Sequence, residues 1–235
     1  MNKTVLITGG TKGIGLGIAR SLLLDGYKVA ITGRTEESAK QIASELSSEY
    51  GDKILGLECD VRDYESQKKC VESVIAIFGS LDVMIANAGV GHFASIEDMS
   101  VDHWNETIDT NLTGVFYSIK ASLDALKKSE GYIITIASLA GTNFFAKGSA
   151  YNASKFGLVG FTQSVMLDVR QHGIKVTTIM PGSVSTYFNG HTPSEADAWK
   201  IQPEDLGQMV SDLLKLNPRT LPSKIEVRPS IPGGK

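Results

Sequence analysis

Thr4-Val5-Leu6-Ile7-Thr8-Gly9-Gly10-Thr11-Lys12-Gly13-Ile14-Gly15 is the stretch that decides the fold of this chain. Its first five residues are apolar or β-branched and predict a strand, and residues 16–24 that follow the stretch predict a helix. Glycines let a backbone turn tightly and approach a phosphate, while the helix N-terminus supplies N–H donors and a positive dipole. The stretch therefore predicts a pyrophosphate-binding turn formed by Gly9, Thr11, Lys12, Gly13, Ile14 and Gly15. The alternative is a structural turn without a ligand, because the spacing departs from G-x-G-x-x-G.

Six further strand-like runs alternate with longer segments of helical pattern. This alternation predicts βα units around a parallel sheet, and nearly continuous apolar runs in the middle strands indicate helices on both faces. We therefore predict an α/β, three-layer, doubly wound Rossmann fold with a seven-stranded parallel sheet, in which ligands bind beyond the carboxyl ends of the strands. The seven predicted strands are Thr4–Thr8, Lys28–Thr32, Ile54–Asp60, Val83–Asn87, Tyr132–Ser138, Lys175–Met180 and Lys224–Val227.

Length and charge limit the possible functions. A chain of 235 residues with 42% hydrophobic content fits one α/β domain over residues 1–235. The net charge of -3, the pI near 5.8 and the lack of a basic block argue against nucleic-acid or anionic-membrane surfaces as partners. A small-molecule substrate is expected instead.

Targeting signals and metal motifs are not evident in the sequence. Met1-Asn2-Lys3 leads directly into the first strand, and no apolar run has the length of a membrane span. Cys59 and Cys70 form no disulfide framework, so a cytoplasmic location with reduced thiols is expected. The four histidines are scattered, and we predict no catalytic metal.

The residues at the end of the second strand indicate which nicotinamide dinucleotide binds. Enzymes that use the unphosphorylated form place an acid there, against the ribose 2′-hydroxyl. Here the residues are Thr32-Gly33-Arg34, and the guanidinium of Arg34 suits a 2′-phosphate, with Lys12 available from the other side. We therefore predict NADP(H) as the cofactor. The alternative is that both cations are ordinary solvated loop residues.

Tyr151 and Lys155 are candidate acid-base residues, because positions four apart in a helix share one face. A free tyrosine has a pKa near ~10, and an adjacent cation lowers that value by stabilising the phenolate. Ser138 lies thirteen positions upstream, at the end of a predicted strand. Alone, the Tyr-Lys spacing is weak evidence, since it occurs by chance in many surface helices.

Taken together, these residues resemble the short-chain dehydrogenase/reductase superfamily, in its branch of about 250 residues, over nearly the whole chain. Residues 8–15 are similar to its T-G-x-x-x-G-x-G turn, and its catalytic four correspond to Asn111, Ser138, Tyr151 and Lys155. The resemblance implies further cofactor contacts from Asp60, Val61, Asn87, Ala88, Gly89, Pro181, Gly182, Val184 and Thr186, besides Tyr151 and Lys155.

The resemblance also implies a role for each catalytic position. Tyr151 would exchange a proton with the substrate oxygen, Ser138 would orient that oxygen, and Lys155 would lower the phenol pKa and hold the nicotinamide ribose. The backbone carbonyl of Asn111 would hold a water in a proton relay. The alternatives are a helix-kink or cap role for Asn111 and a plain turn role for Ser138.

The irregular segment 182–202 is expected to be a lid and substrate loop. We predict substrate contacts from Ser138, Tyr151, Phe145 and Tyr187. Aromatic residues near these positions could line an apolar pocket or could equally anchor the loop by local packing; they are Phe144, Phe188, His191 and Trp199, with Leu139 beside them.

These expectations describe an NADP(H)-dependent oxidoreductase acting on a ketone, aldehyde or secondary alcohol. The alternatives are a 3-oxoacyl-carrier-protein reductase and a non-catalytic NADP-sensing protein. Ser129 and His172 stand where carrier-protein reductases of the family have arginines, although Lys127 and Lys128 remain nearby. Apolar residues around the helices predicted at 112–128 and 154–170 predict a homotetramer or homodimer.

Overall fold

The structure is a computed structural model that describes residues 3–231. Met1, Asn2 and residues 232–235, which the predicted domain 1–235 includes, lie outside the described residues. Seven strands form one parallel sheet in the order β3-β2-β1-β4-β5-β6-β7. They are β1 (Thr4–Ile7), β2 (Lys28–Gly33), β3 (Ile54–Glu58), β4 (Val83–Ala86), β5 (Tyr132–Ile136), β6 (Lys175–Pro181) and β7 (Lys224–Val227).

Helices connect the strands and cover both faces of the sheet. They are α1 (Gly13–Leu24), α2 (Glu36–Tyr50), α3 (Tyr64–Phe78), α4 (Val101–Ile108), α5 (Gly114–Ser129), α6 (Ser149–Val169) and α7 (Pro203–Lys215). None of the helices within residues 3–231 has the length and apolar character that crossing a bilayer requires. The predicted seven-stranded, doubly wound Rossmann fold is confirmed.

Alternation of side chains along each strand builds two cores. In β1, Val5 and Ile7 belong to the core under α1, α2 and α7, whereas Leu6 belongs to the core under α3, α5 and α6. The same alternation divides Val29 from Ala30 in β2. Successive strand residues point to opposite faces, and both faces are covered by helices. Each residue of a central strand must therefore be apolar or have its polar atoms hydrogen-bonded, which explains the continuous apolar runs.

Two of the predicted helices differ from the observed ones. The segment predicted as a helix at 112–128 enters through a π turn, Asp109–Thr113, that joins α4 to α5. Helix α6 begins at Ser149, whereas the predicted helix began at Ser154. The prediction started late because residues 149–153 carry no apolar periodicity. Several strands also end one or two residues from the predicted positions, as at β5, where the chain leaves the sheet before Ser138.

Helices α1 and α7 approach each other at glycine positions. A Cβ added to Gly17 would lie 2.5 Å from the backbone of Pro203, and one added to Gly207 would lie 2.6 Å from the carbonyl oxygen of Gly17. The helix that follows the glycine turn is therefore fixed on its outer side by backbone-to-backbone packing, which no side chain could replace without displacing a helix.

We expect Gly207→Ala to destabilise the fold by about 1–3 kcal/mol, because the methyl group overpacks the α1–α7 contact. Urea unfolding followed by circular dichroism measures this. Gln208→Ala, at the next, exposed position of α7, is the matched control and should change stability by less than about 0.5 kcal/mol. Equal stability of Gly207→Ala and the unmodified protein would contradict the overpacking argument.

Candidate functional site

A cleft of about 840 Å³ runs along the carboxyl ends of the strands. It crosses the point between β1 and β4 where the strand order reverses, which is where doubly wound sheets bind ligands. Nineteen of the predicted site residues line it: Gly9, Thr11, Lys12, Gly13, Ile14, Arg34, Asp60, Val61, Asn87, Ala88, Gly89, Ser138, Tyr151, Lys155, Pro181, Gly182, Val184, Thr186 and Tyr187. Three predicted residues are not part of this lining, namely Gly15, Asn111 and Phe145.

The glycine turn leaves no room for side chains at its bends. Gly9 and Gly13 have φ values of 64° and 56°, and a Cβ on Gly9 would lie 2.9 Å from Cα of Ala88. Gly15 is buried behind the turn, where its Cβ would lie 2.5 Å from the carbonyl oxygen of Gly9. Gly15, predicted as part of the pyrophosphate-binding turn, therefore shapes the turn without lining the cleft.

Hydrogen bonds from the end of β4 hold the turn in place. Asn87 Nδ2 donates to the carbonyl oxygens of Thr8 and Gly9 at 2.9 and 3.0 Å. The hydroxyl of Thr8 accepts from the backbone N–H groups of Asn87 and Ala88 at 3.0 and 3.1 Å. Asn87 and Ala88, predicted as cofactor contacts, thus also support the turn.

The N-terminus of α1 suits an anion. Its N-cap is Lys12, which makes no side-chain capping hydrogen bond, and its first turn contains no acidic residue. The first N–H groups of a helix carry partial positive charge and need acceptors. This turn, with glycines where a backbone must come close, fits the pyrophosphate of a dinucleotide.

The two cations predicted to bind a 2′-phosphate are both part of the cleft lining. Arg34 and Lys12 are exposed and line it together. Asp60 lies near them, and the pKa of its carboxyl is lowered mainly by a hydrogen bond from Arg62 and to a smaller extent by the charge of Arg34. Arg62 Nε and Nη2 contact the two carboxylate oxygens at 2.9 and 2.6 Å.

Arg62 is a cleft residue that the sequence reasoning missed. Its guanidinium pairs with the carboxylate of Asp60, a residue that the family resemblance assigns to cofactor binding. The alternating charges of Asp60-Val61-Arg62-Asp63 at the end of a strand were the available signal.

Tyr151, Lys155 and Ser138 converge at the inner end of the cleft. Tyr151 is in the first turn of α6, and Lys155 Nζ lies 5.7 Å from the centroid of its ring. The Lys155 ammonium donates to the carbonyl oxygen of Ile136, the last residue of β5, at 3.0 Å. Ser138, two residues further, accepts from the N–H of Ala140 at 3.1 Å.

Burial determines the proton affinity of these groups. It raises the pKa of the Tyr151 phenol, and a hydrogen bond with Ser138 acts in the opposite direction. Burial also lowers the pKa of Lys155 to about 8. The expectation that Lys155 leaves the Tyr151 phenol with a lowered pKa is therefore wrong for this structure, because loss of solvation outweighs the favourable interactions of the phenolate.

Asn111 lies inside the protein and does not line the cleft. It belongs to the π turn between α4 and α5 and is 0% exposed. Its side chain accepts from the N–H of Val90 and donates to the Val90 carbonyl oxygen, both at 2.8 Å, and it donates to Ser154 Oγ at 3.0 Å. The side chain thus joins the π turn to α6 and to the segment after β4, as expected of a residue at a helix kink. The proton-relay role predicted for the backbone carbonyl of Asn111 stays a prediction.

The segment 182–202 covers the cleft from the β6 side. Gly182 N–H donates to the carbonyl oxygen of Val227 at 2.8 Å, and Val184 pairs with Ile201. Thr186 lies over the glycine turn, since a Cβ on Gly13 would be 3.3 Å from its methyl group. The segment is therefore tied both to the sheet and to the predicted pyrophosphate site.

Aromatic rings surround the Tyr151 ring. Phe93 lies 5.4 Å and Phe188 5.6 Å from it, measured between ring centroids, and Phe145 lies 5.7 Å from Phe93. Phe145 lines a second cavity with Ser138 and Tyr151, whereas Tyr187 lines the large cleft.

Phe93 was missed in the sequence, because it is an isolated aromatic residue outside the predicted loop. Phe188 was expected only as a loop aromatic. Within residues 3–231, there is no group of three or more His, Cys, Asp or Glu side chains that could hold a metal ion.

Comparison with known proteins places these features in a family. The family model described as short chain dehydrogenase matches residues 3–197. A trans-4-hydroxycyclohexanecarboxylate dehydrogenase of Sinomonas cyclohexanicum is 37% identical over 189 residues, covering 78% of this chain and 73% of that protein. An uncharacterized oxidoreductase of Staphylococcus aureus (strain MW2) is 33% identical over 230 residues, covering 97% of both.

Solved structures agree with the sequence relatives. The X-ray structure of an alcohol dehydrogenase from the archaeon Thermococcus sibiricus, complexed with 5-hydroxy-NADP, aligns with a TM-score of 0.91. It is 31% identical in sequence, and the alignment covers 97% of each chain. The family match spans most of the chain and the relatives span nearly all of it, so this protein belongs to the short-chain dehydrogenase/reductase family of oxidoreductases.

Proposed function

We propose that this protein is an NADP(H)-dependent oxidoreductase that interconverts a ketone or aldehyde and the corresponding alcohol. The observation that carries the proposal is the convergence of Ser138, Tyr151 and Lys155 at the inner end of the cleft that begins at the glycine turn. The named substrate of the Sinomonas relative contains a secondary alcohol, and the Thermococcus structure holds a form of NADP, which support both parts of the proposal.

The cofactor is proposed to lie with its pyrophosphate at the N-terminus of α1 and its 2′-phosphate near Arg34 and Lys12. When bound, it supplies or accepts the hydride at the substrate carbon. Position 33 supports the phosphate assignment, because a Cβ on Gly33 would lie 2.9 Å from the methyl group of Thr11, leaving little room for the usual acid at this strand end.

Tyr151 is proposed to give its phenolic proton to the carbonyl oxygen during reduction and to take it back during alcohol oxidation. Ser138 donates to the same oxygen, where negative charge develops. The raised pKa of Tyr151 keeps the phenol protonated at neutral pH, as a proton donor requires. Lys155, when charged, favours the phenolate that remains after transfer.

Two alternatives are less well supported. Ser129, at a position where carrier-protein reductases have an arginine, donates to the carbonyl oxygen of Leu81 at 2.9 Å and so faces inward. It offers nothing to an acidic carrier protein, although Lys127 and Lys128 are exposed beside it. A non-catalytic NADP sensor would not need Ser138, Tyr151 and Lys155 together.

We also propose a homodimer or homotetramer formed through α5 and α6. Large apolar side chains are exposed on these two helices in the isolated chain: Phe116, Phe156 and Leu167 are 45, 43 and 55% exposed. The segment 182–202 is proposed to act as the lid over the substrate, in keeping with its contacts to both the sheet and the glycine turn.

Tyr151→Phe is expected to lower kcat for ketone reduction at least about a hundred-fold, because it removes the proton donor. A panel of ketones and aldehydes with NADPH, followed by absorbance of the reduced nicotinamide, measures turnover, and fluorescence titration measures cofactor affinity. Tyr50→Phe removes a phenol hydroxyl at the end of α2 and serves as the control. Full activity of Tyr151→Phe would rule out the proposed proton transfer, and inactivity of the unmodified protein with every substrate would favour the sensor.

Arg34→Asp is expected to raise the Kd for NADPH about ten-fold or more while changing the Kd for NADH far less, because the charge-assisted contact is specific to the 2′-phosphate. Isothermal titration calorimetry with both cofactors tests this. Arg219→Asp, at an exposed position outside the cleft, controls for the change in net charge. Equal weakening for both cofactors would show that Arg34 does not meet the 2′-phosphate.

The buried ammonium predicts a pH-dependent stability. Lys155 has a pKa of about 8 in the folded protein and 10.5 as a free side chain, so the unfolded chain binds more protons between these values. Stability of the unmodified protein should therefore rise from pH 8 to 10.5 relative to Lys155→Met, by up to about 3 kcal/mol.

Urea unfolding at intervals from pH 7 to 10 measures the difference between the two proteins. Its pH dependence is informative even if Lys155→Met also loses the hydrogen bond to Ile136, since that loss adds a nearly constant amount. Lys128→Met, at an exposed site, should follow the unmodified protein across the range. If the difference in stability between Lys155→Met and the unmodified protein stayed constant across this pH range, the pKa of Lys155 would not be lowered in the folded protein.

A further inference from the structure

A second cavity, of about 580 Å³, opens on the side of Ser138 and Tyr151 away from the glycine turn. Its walls include the side chains of Leu139, Phe145 and Trp199, which are apolar or aromatic. Cavities of this size and character enclose small organic molecules. The proposed proton donor thus lies at one end of a space suited to an apolar substrate body.

The cavity also has a positively charged end. Arg228 and Pro229 belong to its lining and follow directly after β7. Strands β5, β6 and β7 are adjacent and parallel, so the residues that follow them meet at one edge of the sheet. Arg228 therefore lines the same cavity as Ser138, which follows β5.

We propose that the substrate is an organic anion: a ketone or secondary alcohol whose apolar body fills this cavity and whose carboxylate binds Arg228. The inference rests on the proposed oxidoreductase function and specifies its substrate class. A guanidinium contacts a carboxylate through two parallel hydrogen bonds, which fixes the distance and orientation of the reacting carbon relative to Tyr151.

The only acid that the structure pairs with Arg228, among the described residues, is Glu226 on the exposed face of β7. Arg228 Nη2 lies 2.9 Å from Glu226 Oε2, and the two side chains are 57 and 42% exposed. Exposed pairs of this kind are weak, so a substrate carboxylate can compete for the guanidinium. Glu226 would at the same time oppose the approach of an anion.

Matched pairs of substrates test the effect of the negative charge apart from that of the rest of the molecule. We would compare 4-acetylbenzoate with 4-acetylbenzamide, and the two 3-substituted isomers, because each pair has nearly the same shape and differs in charge. With NADPH in excess, kcat/KM for the better of the two acids should exceed that for its amide by about ten-fold. Binding of benzoate provides a readout that is independent of turnover. Benzoate should raise the Tm of the NADP⁺ complex to a saturating value, and benzamide should not raise it.

Substitutions at the two charged residues should act in opposite directions. In Arg228→Ala, the acid-to-amide ratio of kcat/KM should fall to near one and the benzoate Tm shift should disappear. In Glu226→Gln, the ratio should rise about three-fold, since a competing and repelling charge is removed. Arg219→Ala, which removes an exposed arginine outside the cavity, should leave the ratio as it is in the unmodified protein.

The outcomes distinguish this inference from the proposed function. Turnover of neutral ketones without preference for the acids, together with an unchanged ratio in Arg228→Ala, would overturn the inference and leave the oxidoreductase intact. Absence of turnover with every ketone would contradict the proposed function, whereas a benzoate shift that depends on Arg228 would still support an anion site. Loss of the shift in both Arg228→Ala and Arg219→Ala would indicate a general charge effect and would overturn the site.

Discussion

The close approach of the ends of β1 and β4 is the constraint on which the rest of the site depends. Gly9 lies against the backbone of Ala88 with no space for a Cβ, and Asn87 bridges the two strand ends through hydrogen bonds to the glycine turn. Because the turn is held from the sheet, α1 starts in a fixed direction with its first N–H groups facing the cleft. Helix α7 then fixes α1 from outside through Gly17 and Gly207, so the predicted phosphate site is rigid on both sides.

The part of the cleft that contains Tyr151 and Lys155 is built under the opposite condition, since it places an ammonium group where solvation is poor. Lys155 is 4% exposed, and the carbonyl oxygen of Ile136 accepts a hydrogen bond from its ammonium. One neutral acceptor compensates only part of the lost hydration, which is why the pKa of Lys155 falls. The same environment keeps the Tyr151 phenol protonated. Placing these two groups together in a poorly solvated site costs stability, and the well-packed sheet around the site offsets that cost.

Sequence reasoning succeeded where the physical signal is local and failed where it depends on tertiary contacts. The apolar runs and the glycine spacing predicted the seven strands and the three layers, and the family resemblance supplied many of the residues that line the cleft. They could not predict that Gly15 would be enclosed behind the turn, or that Arg62 would occupy the carboxylate of Asp60, because both depend on how separate segments meet. The upward shift of the Tyr151 pKa was missed for the same reason, since spacing alone reveals the neighbouring cation and not the desolvation.

The aromatic contacts show how one segment relates to both halves of the site. Thr186 contacts the glycine turn, and two residues later Phe188 reaches the Tyr151 ring. That position is open to a ring because residue 91 is glycine: a Cβ there would lie 2.5 Å from the Phe188 ring. A displacement of the segment away from the Tyr151 ring would therefore also disturb the contact at the predicted pyrophosphate site. Both contacts belong to residues two positions apart, so the position of the segment depends on the glycine turn and on the Tyr151 ring together.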